Sequence, residues 1–142
     1  MKVFEAMTPD VVTVAPDAAL TLAARLMRES DIGPLPVCEG KRIVGMLTDR
    51  DITVRATAEG RDPNTTRVDE VMTPEVICCL EGDEIERAAG LMQSAQLRRL
   101  IVVDAEGRLA GIVSLGDLAL QTGDDALSGQ TLERVSEPPS GR

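Results

Sequence analysis

The chain is a duplication, and this constrains its fold more than any other feature. Val3-Phe4-Glu5-Ala6-Met7-Thr8-Pro9-Asp10-Val11 is answered 65 residues later by Val68-Asp69-Glu70-Val71-Met72-Thr73-Pro74-Glu75-Val76. The same offset carries Leu26-Met27 onto Leu91-Met92 and Leu35-Pro36-Val37 onto Leu100-Ile101-Val102. One extra residue before Gly111 then aligns Gly45-Met46-Leu47-Thr48-Asp49-Arg50-Asp51-Ile52 with Gly111-Ile112-Val113-Ser114-Leu115-Gly116-Asp117-Leu118. A lone unit of about 60 residues buries only about 60% of its unfolded surface, so the two copies are expected to pack together and share a core. With aromatics at 1% and Phe4 the sole example, that core must be aliphatic.

Within each copy the hydrophobic period changes along the chain. Val11-Val12-Thr13-Val14 reads as a first strand, ended by Pro16-Asp17. Asp17 is the expected N-cap of a helix over about 18–29, with Leu20, Ala23, Ala24 and Met27 on its apolar stripe. Segments 35–38 and 42–47 flank the turn Glu39-Gly40-Lys41 as a hairpin, and a helix runs from Thr48 to about Glu59, stopped by Gly60. The second copy repeats the order: strand 76–80, helix 84–95, hairpin strands 100–104 and 109–114, and a helix from Gly116. The first and second strands of a copy, joined by a helix, should be parallel neighbours, and the hairpin pair antiparallel. The expected organisation is a first unit over 1–60, a linker over 61–66, a second unit over 67–122 and a tail over 123–142. In the tail Leu127, Thr131 and Val135 form a weak helical stripe with Leu132 beside it, which Pro138-Pro139 would stop.

The repeated Thr48/Asp51 and Ser114/Asp117 pairs mark strand-to-helix junctions. Unpaired N–H groups and the positive end of the helix dipole favour an anion there, and Thr48 or Ser114 can add a hydroxyl donor to a phosphate. Asp51 and Asp117, one turn on, can accept both hydroxyls of a ribose. The same pattern is also a helix capping box with no ligand at all.

Charge and composition exclude other classes. A net charge of −9 and a pI near 4.5 repel nucleic acid and anionic membrane, and the chain lacks the aromatic platforms of single-strand binders. No apolar run is long enough to span a bilayer and the N-terminus has no signal-peptide core, so a cytoplasmic protein is expected. With no His, and with Cys38, Cys78 and Cys79 in no metal-ligand spacing, neither a catalytic nor a metal site is expected; the cysteines read as buried strand residues, the alternative being a redox-sensitive pair.

Two ordered sets of Met-Thr-Pro, Leu-Pro-Val and Gly-Met-Leu-Thr-Asp-Arg-Asp resemble a tandem cystathionine-β-synthase (CBS) domain pair, or Bateman module, over roughly residues 2–121. The resemblance implies a mixed α/β fold of two β-α-β-β-α units in a pseudo-symmetric pair, with adenosine derivatives bound in clefts between units. Carried over residue by residue, it implies base contacts from Thr13, Gly33, Pro34, Leu35 and Pro36 in the first unit and from Cys78, Arg98, Arg99, Leu100 and Ile101 in the second. Phosphate and ribose would meet Thr48, Arg50 and Asp51, or Ser114 and Asp117. Ile101 replaces the family's Pro, and the arginines are placed differently in the two copies, so the sites should be unequal. The implied function is a stand-alone sensor with AMP, ADP, ATP or S-adenosylmethionine as regulatory ligand and no required cofactor. It would form a homodimer and signal through an effector protein; the competing reading is a ligand-independent dimeric scaffold.

Overall fold

The computed structural model describes residues 1–138, so Pro139 lies outside the described residues. The elements in chain order are α1 (Val3–Ala6), α2 (Leu20–Ser30), β1 (Pro34–Glu39), β2 (Arg42–Thr48), α3 (Asp49–Asp51, continuing as a π turn over Ile52–Thr57), β3 (Cys78–Leu80), α4 (Ile85–Ala95), β4 (Arg99–Val103), β5 (Leu109–Ser114), α5 (Leu115–Thr122) and α6 (Asp125–Ser136). A 3₁₀ turn at Val68–Glu70 takes the place of α1 in the second repeat. This is the expected mixed α/β order, and among the described residues no helix is long and apolar enough to cross a membrane.

The packing units are offset from the sequence repeats. One compact unit is Val11–Val76; the other joins Met1–Asp10 to Ile77–Arg142. Each unit therefore takes in the opening segment of the other repeat, and the backbone shows how. Thr73 exchanges two hydrogen bonds with Met46 (2.9 and 2.8 Å), and Thr8 does the same with Ile112 (2.8 and 3.0 Å). A β-carbon on Gly45 would lie 2.9 Å from the Thr73 carbonyl oxygen, and one on Gly111 2.6 Å from that of Thr8. Glycine is required at both positions because another backbone crosses there. The same exchange supplies helix caps. Leu20 N donates to Thr66 O (3.0 Å) and Ile85 N to Met1 O (2.9 Å). Asp17 is accordingly not the N-cap of α2; Ala19 holds that position without a side-chain bond, because a backbone carbonyl has taken the helix N–H.

Val11–Val76 contains the antiparallel hairpin β1–β2, with Pro34 opposite Thr48. The first strand expected at 11–14 shrinks to one parallel bridge, Val14 to Val37. Val14 N donates to Pro36 O and Cys38 N to Val14 O, so the next ladder bond would run from residue 36 to the carbonyl of residue 12. Pro36 has no N–H to make it. In the other unit the matching residue is Ile101, and β3 pairs with β4 over three residues in parallel, with β5 antiparallel beyond.

The buried residues fall into two clusters, one per unit, where small size suggested a single shared core. Taking in the opening segment of the other repeat accounts for this: Val68 and Val71 complete the cluster around Leu20, Leu35 and Leu47, while Val3 and Ala6 complete the one around Met92, Leu100 and Leu118. Both are aliphatic, and Phe4 is 52% exposed. On α2 the stripe is Leu20, Ala23 and Met27, with Ala24 on the outer face. Helix α6 is well formed on the predicted stripe: Thr131 and Val135 are buried against the second cluster's side, and Thr131 Oγ1 accepts from Gln93 Nε2 of α4 at 3.1 Å.

The cysteines are strand residues with thiols pushed up by burial, Cys79 to about 11 with help from the Asp83 charge. A raised thiol favours the folded state while it stays protonated, so stability is fully present below pH 9 and is lost as pH rises toward 11. Urea denaturation across that window should show a loss that is smaller by about 2–3 kcal/mol in Cys79→Ala, which keeps only the contributions of Cys38 and Cys78. At pH 7, Gly111→Ala should cost about 1–3 kcal/mol through the Thr8 contact. Gly82→Ala, with nothing within 4 Å of the added carbon, should be close to neutral.

Candidate functional site

Both strand-to-helix junctions are built alike. Thr48 ends β2 in extended conformation (φ −115°, ψ 161°), and its Oγ1 accepts from Asp51 N at 3.0 Å while Asp51 Oδ2 accepts from Thr48 N at 3.0 Å. Ser114 ends β5 at φ −117°, ψ 164°; its Oγ accepts from Asp117 N at 3.1 Å and Asp117 Oδ2 accepts from Ser114 N at 2.8 Å. These are complete capping boxes. They engage one oxygen of each carboxylate once, and a carboxylate has about four acceptor positions. The box therefore fixes the rotamer of the carboxylate and leaves acceptor capacity for the two hydroxyls of a vicinal diol.

The residues preceding the second strand of each repeat meet the junction through the backbone. Asp49 N donates to Gly33 O (3.1 Å) and Leu115 N to Arg98 O (2.8 Å). Across the hairpins Pro34 faces Thr48 and Arg99 faces Ser114. The structure thus gathers Gly33, Pro34, Thr48, Arg50 and Asp51 in one group, and Arg98, Arg99, Ser114 and Asp117 in the other. Leu35 and Leu100 belong to the core clusters, and the side chains of Pro36 and Ile101 are buried. Thr13 precedes the Val14–Val37 bridge, and Cys78 pairs with Ile101 in the ladder; both are half-buried.

The two junctions differ where an anion would sit. In the first, Asp49 Oδ1 already accepts from Arg50 N at 3.0 Å and stands over Gly33, whose β-carbon would be 3.1 Å away. A carboxylate thus occupies the helix start. The helix then widens into its π turn, and Arg55 Nε lies 3.8 Å from Asp51 Oδ1 while its Nη1 donates to Val71 O at 3.3 Å. In the second junction Leu115 and Gly116 replace that acid and its neighbour.

Arg98 and Arg99 are exposed and form no ion pair with any described residue. Arg42, Arg55, Arg61, Arg67, Arg87 and Arg108 each lie within 3.8 Å of a carboxylate oxygen, whereas Arg50 at the first junction is, like Arg98 and Arg99, exposed and without an ion pair to any described residue. Beside Arg98 and Arg99 is a cavity of about 540 Å³. It is lined by Ser114 at the end of β5, by Leu115, Gly116 and Ala119 of α5, and by Ser128, Gly129 and Leu132 of α6. Asp117 does not line it: at 100° per residue it lies on a different face of α5 from Leu115, Gly116 and Ala119. Cys78, Leu100 and Ile101 do not line it either.

Sequence reasoning gave Asp49 and Arg55 no role and identified the α6 segment without giving it a part in the site. Asp49 was detectable, since the repeat alignment sets it against Leu115. The π turn that carries Arg55 has no sequence signature, and the stripe of α6 identified its packed face without showing what its other residues would meet. Among the described residues no group of three or more His, Cys, Asp or Glu is placed to hold a metal ion.

Comparison with known proteins gives this geometry a family. The CBS domain model matches residues 3–56 and 68–121. CBS domain-containing protein YhcV of Bacillus subtilis is 42% identical over 132 residues, 93% of each chain. Hypoxic response protein 1 of Mycobacterium tuberculosis is 38% identical over 122 residues, 85% of each chain. A crystal structure of Hypoxic Response Protein I with two coordinated zinc ions superposes with a TM-score of 0.77, covering 85% of this chain and 98% of that one. The structure of CBSX2 in complex with AMP superposes with a TM-score of 0.74 at 29% identity, covering 86% of this chain and 98% of that one. With the duplicated motifs, the reciprocal exchange of opening segments and matched junctions all in place, the chain belongs to the CBS-domain family as a tandem CBS pair.

Proposed function

We propose that this protein is a regulatory module that binds an adenosine derivative at its strand-to-helix junctions and passes occupancy to a partner protein. The observation that carries this reading is the side-by-side placement of a hydroxyl and a fixed carboxylate at a helix start, built twice from different residues. One offers a phosphate contact and the other a ribose contact. The AMP bound to the related CBSX2 supports an adenine nucleotide as the ligand class. The second junction is the better site: at the first, Asp49 sets a negative charge beside the single unpaired Arg50, while at the second two unpaired arginines, Arg98 and Arg99, stand beside a helix start that carries Leu115 and Gly116. Leu100 and Ile101 are buried, so the base would be held through main-chain groups and aliphatic edges near Arg98 and Cys78. We read the module as non-catalytic, acting in the cytosol as a homodimer: no His is available as a general base, and the thiols are pushed up rather than activated.

A second reading is a ligand-independent scaffold. It is favoured by one fact: both capping boxes are satisfied by the chain itself, and no buried side-chain nitrogen or oxygen among the described residues is without a partner.

Thermal unfolding followed by circular dichroism separates the two. Ligand at about 100 times its Kd should stabilise the wild type by roughly 2.7 kcal/mol, several degrees for a domain of this size. Asp117→Ala should lose that shift as well as about 0.5–2 kcal/mol of basal stability, and Asp51→Ala should lose only the latter. If AMP, ADP, ATP and S-adenosylmethionine at millimolar concentration all leave the wild-type transition unmoved, the scaffold reading replaces this one. The chain has no Trp or Tyr, so a 260 nm band in purified protein would report copurified nucleotide directly.

A further inference from the structure

Helix α6 lies outside both segments matched by the family model, which end at residue 121. Its contribution to the second junction is therefore not described by the CBS domain model. From the cavity it closes, we infer that the second site selects nucleoside polyphosphates, with α6 lining a slot that receives the phosphate chain. This rests on the adenosine reading above and adds the ligand's charge class and the residues that select it.

The argument starts from Ser114. Its backbone N–H and Oγ hold Asp117, the ribose acceptor, while its side chain also lines the α6 cavity. The carboxylate and the cavity therefore lie on adjoining faces of one residue. A ligand whose ribose is held by Asp117 reaches the cavity with whatever extends from its 5′ carbon past Ser114 and Gly116. The slot suits a chain of phosphates. Arg98 and Arg99 supply two guanidinium groups with no competing ion pair among the described residues, in a protein whose net charge is −9. Ser114 adds a hydroxyl, whose oxygen accepts from Asp117 N and whose hydrogen can be donated to a phosphate oxygen; the Ser128 hydroxyl already donates to Asp124 O at 2.9 Å. Guanidinium forks bind successive phosphate oxygens well, and they disfavour the sulfonium of S-adenosylmethionine.

Gly129 strengthens the assignment. It stands within α6, where glycine is less favourable than alanine. No steric demand explains it, because a β-carbon there would meet nothing within 4 Å. Its absence of a side chain keeps the slot open. At about 540 Å³ the cavity is within the usual range of small-molecule sites.

Isothermal titration of the full chain with ATP, ADP, AMP, S-adenosylmethionine and inorganic tripolyphosphate tests this. ATP should bind about tenfold or more tighter than AMP, with S-adenosylmethionine weakest. The double variant Arg98→Ala/Arg99→Ala should bring ATP down to the AMP affinity. Gly129→Phe, which fills the slot from an exposed helix position, should weaken ATP and leave AMP unchanged. Tripolyphosphate should bind wild type and Asp117→Ala alike, and fail to bind the double arginine variant. Equal affinities for AMP and ATP in the wild type, or a ratio unmoved by both the arginine and Gly129 variants, would overturn the polyphosphate slot and leave the adenosine reading standing. Tripolyphosphate binding without binding of any adenosine compound would overturn the adenosine reading and keep the slot as an anion site. Binding of none of the five would remove both.

Discussion

Two backbone crossings, one inside each unit, tie the opening segment of one repeat to the hairpin of the other: Thr73 on Met46 and Thr8 on Ile112, each made over a glycine that has no side chain to obstruct it. Much else in the structure follows from them. The crossing brings Val68 and Val71 to one core and Val3 and Ala6 to the other. It places Thr66 and Met1 carbonyls where α2 and α4 need acceptors for their first N–H groups. It also anchors β2 and β5 just upstream of Thr48 and Ser114, so the strand ends that present the junctions are fixed on both sides. A duplicated chain could have closed each repeat on itself, but a unit of this size buries too little surface alone. Exchange of the opening segments makes each core depend on both repeats.

The duplication, the element order and the junction residues were legible in the sequence because they rest on local signals. Gly-x-x-[Thr/Ser]-x-x-Asp carries its own capping chemistry, and the helical stripes of α2 and α4 carry their own period. What was not legible depends on partners distant along the chain. Asp17 is a reasonable cap by local rules and lost that role to a carbonyl 47 residues beyond the Ala19 cap position, Thr66. The first strand had the β-branched content of a strand, but its length is set by a missing donor on Pro36, in a segment that it reaches only after folding. The unit boundary likewise follows hydrogen bonds between repeats, which periodicity does not report. For the site, the residue types were readable; the burial of Leu35, Leu100 and Ile101 depends on which face of the sheet meets the core.

Capping and ligand binding are usually weighed as alternatives at a Thr-x-x-Asp junction, yet here the chemistry makes them cooperative. A carboxylate free to rotate would lose side-chain entropy when it received a ribose. Asp117 has already lost that freedom to Ser114 N, and its remaining acceptor positions keep a defined direction. The box therefore preorganises the acceptor, which lowers the cost of binding a diol. On the adenosine reading, stability and recognition would use the same hydrogen bond, and a cap that any helix would benefit from would also prepare a site.

Duplication gave this chain two such junctions, and their divergence is confined to a few charges. At the first, Asp49 satisfies the helix start and Arg55 reaches Asp51 from a π turn, so both the anion position and the carboxylate have protein partners. At the second, Leu115 and Gly116 leave the helix start to other donors and acceptors, and the unpaired arginines lie beside it. A closed junction needs no solute to satisfy it, whereas on the adenosine reading an open one would make its unit's stability depend on what is bound. Placing α6 against the open junction makes that dependence available outside the CBS pair itself: Gln93 and Gln96 of the α4 end tie α6 to the second core, while Ser128 and Gly129 face the cavity. On the polyphosphate reading, an occupant of the slot would touch α6 as well as the junction, and α6 is then the element through which occupancy would reach a partner.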